Sequence, residues 1–255
     1  MSGATGVPGG STRGGNQMRG ATGVPGESTR GGNQMRGATG VPRGSTRGGN
    51  QMRGVALRSE HDWLSIPIPL AEPAVEMIRL HVDPAASSSS ALVRFPSGWN
   101  RVTPCRYSVD EEVVMLEGEL RISGCVIPRG SYAFIPTGVL RFATLTPVRS
   151  LAFAWFSGPT GATDDAVDLP VVVLDLASAE LDARSPLGGR GRLLRTSANG
   201  TCWLVESIAD DVVAPGNAAV EVCELSAGAW SRAEPSAPVN PAVGRSIVRL
   251  FPTAH

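Results

Sequence analysis

From Val55 onward, short apolar runs alternate with polar residues and are broken by Gly, Pro and Ser at intervals of about eight to twelve residues, the pattern of an all-β chain. The stretch AVEMIRLHVD (Ala74 to Asp83) reads as a first strand, the Ser87 to Ser90 run as a turn, and ALVRFPSGW (Ala91 to Trp99) as the next strand. EEVVMLEGELRISGCVIP (Glu111 to Pro128) reads as a hairpin bent at Glu117 and Gly118. RFATLTP (Arg141 to Pro147) and RSLAFAWFSGP (Arg149 to Pro159) close a barrel. Helical periodicity is weak everywhere, and Val173 to Arg184 offers at most one short helix.

The first 53 residues follow a different rule. Residues 3–19, 20–36 and 37–53 are near-copies of a 17-residue unit, GATGVPGGSTRGGNQMR. Each unit has one Val and one Met as its only sizeable apolar side chains, so stacked copies cannot bury a continuous core. The frame of its Gly triplets breaks at TRGGNQMR, which rules out a collagen helix. The expectation is a disordered, Gly/Arg-rich arm over 1–54, a barrel over 55–160, a linker over 161–186, and a second, partial module over 187–255.

Composition changes this picture only a little. The formal net charge of zero conceals a basic arm and an acidic body: 1–54 carry seven Arg and one Glu, and 55–255 carry sixteen Arg and twenty-two acids. A basic arm can touch phosphates, but this one has no aromatic residue for stacking on bases, so nucleic acid is not expected as a partner. There is no lysine, and the abundance of Ala, Arg, Gly and Pro points to a GC-rich bacterial genome. No run approaches the ~18 apolar residues of a membrane span, and no signal pattern opens the chain. The four cysteines (105, 125, 202, 223) show no C-x-x-C spacing, which suits reduced thiols in a cytoplasm.

The most informative spacing lies between Gly98 and Arg141. Gly98 is followed by five residues, then Pro104, Cys105, Arg106, four more, Glu111, six more, and Gly118. Gly130 is followed by five residues, then Pro136, Thr137, Gly138, two more, and Arg141. These intervals resemble the two motifs of the cupin superfamily, G-x5-H-x-H-x4-E-x6-G and G-x5-P-x-G-x2-H, over about fifty residues. The resemblance implies a cupin-type, double-stranded β-helix (jelly-roll) barrel. In the family, three histidines and a carboxylate meet there on Fe, Mn, Ni or Zn. Here Pro104, Arg106 and Arg141 stand at the histidine positions, and only Glu111 keeps its place. With three of the four ligand positions replaced, no metal and no other cofactor is expected. His61, His81 and His255 lie outside both motifs.

A second likeness is internal. VEVCELSAGAWSR (Val220 to Arg232) is similar to ALVRFPSGWNR (Ala91 to Arg101), with Gly228 in the place of Gly98 and with Glu234 and Ser236 in the places of Pro104 and Arg106. No E-G turn and no P-x-G follow, so the second module is expected to be incomplete and to pack against the first. Its unpaired strand edges suggest a homodimer.

Strand alternation puts residues 104 and 106 on one side and Cys105 on the other, so Cys105 is expected to be a small buried hydrophobe turned from the pocket. Glu111, Arg106 and Arg141 are then the candidate site, with Trp99 and Met115 as apolar lining. One reading is an ion pair that fills the space a metal would take. The other is a pocket for a carboxylate, enolate or phosphate, since two Arg and one Glu leave one positive charge over. Two functions follow: a metal-free, catalytically degenerate barrel that binds a small organic anion, or a metal-independent cyclase, isomerase or epimerase. In the second, Arg106 and Arg141 hold an oxyanion and Glu111 carries the proton.

Overall fold

The computed structural model describes residues 55–56 and 63–252, so the expectation for the arm over 1–54 lies outside the described residues. Eighteen strands follow in chain order. They are β1 (Val55–Ala56), β2 (Leu64–Ile66), β3 (Val75–Val82), β4 (Ser89–Phe95), β5 (Asn100–Arg101), β6 (Glu111–Glu117), β7 (Glu119–Ile122), β8 (Cys125–Pro128) and β9 (Ser131–Ile135). Next come β10 (Thr144–Leu145), β11 (Ser150–Phe156), β12 (Val172–Asp175), β13 (Ala183–Arg184), β14 (Arg190–Ser197), β15 (Gly200–Val205), β16 (Ala218–Glu224), β17 (Ala229–Ala233) and β18 (Ser246–Pro252). No helix occurs among the described residues.

The first module closes a seven-stranded sheet, β12-β9-β6-β11-β4-β3-β2, over a four-stranded one, β5-β10-β7-β8. Alternation along β6 explains how one strand serves two interiors. Val113 and Met115 face the core between these two sheets, with Trp99, Leu120, Ile127, Ala152 and Ala154. Val114, together with Leu92, Phe153 and Trp155, faces a second core shared with Cys202, Leu204, Cys223 and Trp230 of the second module. A third core, entirely apolar, fills the second module around Val205, Val220, Val222 and Val248.

The second module repeats only half of the first. Its sheet runs β1-β17-β16-β18-β15-β14-β13, strand for strand the order of the first sheet, and irregular segments replace the four-stranded layer. In that order β16 takes the place of β6, not of β4. The expected pairing of Val220–Arg232 with Ala91–Arg101 is therefore corrected: Glu221-Val222-Cys223 answers to Glu112-Val113-Val114, and Gly228, directly before β17, answers to Gly130, directly before β9.

Two further differences concern connections. The stretch 161–186, read as a linker, carries β12, which pairs with β9, and β13, which pairs with β14. The short helix considered over Val173 to Arg184 is absent. A β-branched run from Val171 to Val173 favours extended chain, and the open edge of β9 supplies the hydrogen bonds. At the equivalent edge of the other sheet, β1 pairs with β17, so the chain ahead of the first module completes the second.

Candidate functional site

Glu111 opens β6 on the inward side, and Arg141 reaches it from the segment after the Pro136-Thr137-Gly138 turn, where Nη1 of Arg141 pairs with Oε2 of Glu111. Two backbone hydrogen bonds between Cys105 and Arg141 tie the two motif segments together. Residues opposite each other in such a bridge point to the same side, so the Cys105 side chain lies on the Arg141 side. Its Sγ accepts a hydrogen bond from Nη1 of Arg101 at 3.0 Å, and Nη2 of the same guanidinium donates to the Tyr107 hydroxyl at 2.6 Å. The Arg141 guanidinium stacks 4.0 Å from the Tyr107 ring.

The inward positions are thus Cys105 and Tyr107, one residue on from the expected 104 and 106. Arg106, lying between them, falls on the opposite side of the chain; its Nε is buried without a hydrogen-bond partner. The physical reason is the pairing of Cys105 with Arg141 and the bridge of Tyr107 to Ala162, which together fix the pleat. Cys105, expected to be buried and turned from the pocket, is instead only partly buried and lies on the Arg141 side. Arg101, Tyr107 and Thr144 belong to the site and were missed, although the spacing Arg101, Cys105, Tyr107 is a strand-period signal for one face. Trp99 lies in the barrel core with its ring edge-on to Phe95 at 4.9 Å. Met115 is also core, and the end of β6 that carries it borders a cavity of about 190 Å³ lined by Leu116, Arg129, Leu151 and Leu225. Neither touches the Glu111–Arg141 pair among the described hydrogen bonds and ring contacts.

The charge balance is uneven. Arg101 and Arg141 are 4% and 3% exposed, and Glu111 is the carboxylate that pairs with Arg141. Nε of Arg101, Nε and Nη2 of Arg141 and Oγ1 of Thr144, which sits directly across from Arg101, are all buried without a hydrogen-bond partner. Burial, helped by the Glu111 charge, outweighs the nearby guanidiniums and raises the Tyr107 hydroxyl above its ordinary range.

The supports come from both modules. Asp110 accepts hydrogen bonds from N and Oγ1 of Thr137 at 2.8 and 2.9 Å, which anchors the turn leading to Arg141. Arg195 of the second module pairs with Asp110 and, at 2.8 Å, with Glu112. The chain leaving β11 lies against both motif segments, through bonds of Ser108 to Gly161, Thr163 to Arg106 and Val167 to Gly138.

Two sheets enclosing a barrel, the motif glycines at their turns and a second sheet of matching strand order decide the architecture. The fold is that of the cupin superfamily. Solved structures agree. A "putative dioxygenase" from Nostoc punctiforme superposes with a TM-score of 0.60 at 15% identity, over 78% of this chain and 82% of its own. A "Putative Glyoxylate Induced Protein" from Pseudomonas aeruginosa gives 0.51 at 14% identity, over 73% and 83%. At such identities the likeness is one of fold. No protein-family model matches the chain, and no curated protein matches it.

The residues at the cupin metal position do not fit a divalent cation. Such an ion needs three or more converging N, O or S donors, and here two guanidiniums flank one carboxylate already engaged by Arg141. Among the described residues no cluster of three His, Cys, Asp or Glu converges in this way. No described helix is long and apolar enough to cross a membrane.

Proposed function

We propose that the first barrel binds a small organic anion through Arg101 and Arg141 and that it does so without a metal. The supporting observation is the set of three guanidinium nitrogens, Nε of Arg101 and Nε and Nη2 of Arg141, buried without acceptors beside a single carboxylate. Donors on a buried cation left unmatched are costly, and a carboxylate, enolate or phosphate oxygen satisfies both their hydrogen bonds and their charge. The test is a melting or denaturant titration with a panel of small carboxylates and phosphate. A ligand at a hundredfold excess over its dissociation constant stabilises by about 2.7 kcal/mol. Arg141→Ala removes that gain, and equal gains in wild type and variant would place the anion elsewhere.

A second reading rests on the proton carriers in the same space. Glu111 and the Tyr107 hydroxyl, which keeps its proton, lie beside the guanidiniums, the parts list of a metal-independent cyclase, isomerase or epimerase acting on a carboxylate. In this reading Arg141, with Arg101 replacing the expected Arg106, stabilises a developing oxyanion while Glu111 moves the proton.

A further inference from the structure

We propose that the first barrel selects a monocarboxylate carrying a second, uncharged oxygen, an oxo or hydroxy acid, and that Arg101 and Thr144 recognise that second oxygen. The inference rests on the anion reading above and deepens it from a charge to a ligand held at two points.

The first point is the free edge of Arg141. Glu111 takes Nη1, while Nε and Nη2 are buried without acceptors on a side chain only 3% exposed. The Nε–H and one Nη2–H lie side by side along one edge of the guanidinium plane. That edge matches the two oxygens of a carboxylate, which it binds through parallel hydrogen bonds. The Tyr107 ring stacks on this guanidinium at 4.0 Å and so fixes the plane in which the edge lies.

The second point lies where β5 meets β10. Arg101 and Thr144 stand opposite each other, so their side chains leave the same face about 5 Å apart. Nη1 and Nη2 of Arg101 are held by Cys105 and Tyr107, and its Nε–H, on the Nη2 side of the plane, has no acceptor. Oγ1 of Thr144 is buried without a partner as well. The Tyr107 hydroxyl accepts from Nη2 of Arg101 and can donate its own O–H. What this group of donors lacks is an acceptor, which a carbonyl or hydroxyl oxygen supplies. The guanidinium carbons of Arg101 and Arg141 lie 5.2 and 4.0 Å from the same Tyr107 ring, so one small molecule can reach both points.

Charge decides what the second group is. Arg101 and Arg141 against Glu111 leave one positive charge, and a single carboxylate neutralises it. A second carboxylate would bring a buried negative charge with no cation left to match it, which is costly. The second oxygen is therefore neutral.

The test is titration calorimetry on the full-length protein at neutral pH with propionate, pyruvate, lactate, acetoacetate and malonate. The same titrations are made on Thr144→Val, which keeps the side chain's shape and removes its hydroxyl. At least one of pyruvate, lactate and acetoacetate is expected to bind about tenfold or more tightly than propionate, the effect of satisfying a buried donor. Malonate is expected to bind no more tightly than propionate. Thr144→Val should remove most of that difference and leave propionate unchanged. Should the variant fail to fold, the comparison of acids on the wild type still decides. If none of the three oxygen-bearing acids exceeds propionate, or if malonate binds most tightly, the two-point ligand is overturned. A difference that persists in a folded Thr144→Val overturns the assignment to Arg101 and Thr144. In each of these cases propionate binding leaves the anion pocket standing, whereas binding of none of the acids brings both down.

Discussion

Arg141 brings three guanidinium nitrogens into the barrel mouth, and a carboxylate meets one of them. Glu111 is the compensating charge, so Glu111→Gln is informative under either function. It leaves a buried guanidinium uncompensated and is expected to cost about 3 kcal/mol, the scale of other broken buried pairs. It also frees the remaining Arg141 donor, so anion affinity is expected to rise. If the chain is an enzyme, turnover falls about a hundredfold or more while binding persists. Urea unfolding, anion titration and turnover on one preparation separate these outcomes. A variant that melts like wild type and binds no better would mean that the pair contributes nothing to the pocket. At this scale Glu111 and Arg141 were legible because the motif intervals count backbone positions. Arg101 and Tyr107 were not, because the alternation was counted from Pro104, and the pairing of Cys105 with Arg141 sets a different phase.

At the scale of the element, β6 shows why the motif tolerates so little change. Its odd positions face the barrel core, its even positions face the second module, and it ends at Gly118, where the chain turns with φ +71°. A Cβ there would lie 2.3 Å from Oγ of Ser150 and 2.7 Å from the Arg149 carbonyl oxygen. Ser150 cannot move away cheaply, since its hydroxyl bonds N and O of Glu119 at 3.1 and 3.0 Å. Gly118→Ala is therefore expected to cost roughly 3 kcal/mol or more, strain and overpacking together. Gly124 has φ +81° but nothing within 4 Å of its Cβ position, so Gly124→Ala is expected to cost about 1 kcal/mol, the backbone term alone. Equal denaturant midpoints for the two variants would show that the Ser150 contact does not constrain the turn. The E-G dipeptide at this turn was readable in the sequence. Gly228 was misaligned with Gly98, because the second module drops the four strands that would have set the count.

At the scale of the whole molecule, the two sheets answer each other through one buried glutamate apiece. The transverse row Glu112, Trp155, Ser90, His81 of the first sheet matches the row Glu221, Arg249, Cys202, Arg195 of the second. The contacts are reciprocal: Arg249 and Arg195 reach Glu112 at 3.1 and 2.8 Å, while Trp155 and Ser90 donate to Glu221 at 2.8 and 3.3 Å. No periodicity along the chain could reveal this, since the partners are brought together only by docking the sheets. The pairing carries a pH dependence whose sign can be worked out. Burial alone would raise the Glu112 carboxyl, but Arg249, Arg195 and the Tyr132 hydroxyl outweigh it and hold it below its ordinary 4.5. A depressed carboxylate contributes stability that is present above pH 4.5 and is lost as the pH falls through the folded value. His81 is held below its ordinary 6.5 by burial and by Arg232, against the pull of Glu221, Glu234 and Asp83. The unfolded chain therefore binds this proton first, and stability declines as the pH falls below 6.5 toward the folded value. Two acid steps are expected in the urea midpoint of the wild type. His81→Asn should remove the upper step and leave the lower. Glu112→Gln should lower the midpoint already at neutral pH, by about 3 kcal/mol, and flatten the lower step. A wild-type midpoint that holds level from neutral pH to below 4.5 would show that neither group differs between the folded and unfolded chain, and that the docked sheets do not depend on this charge network.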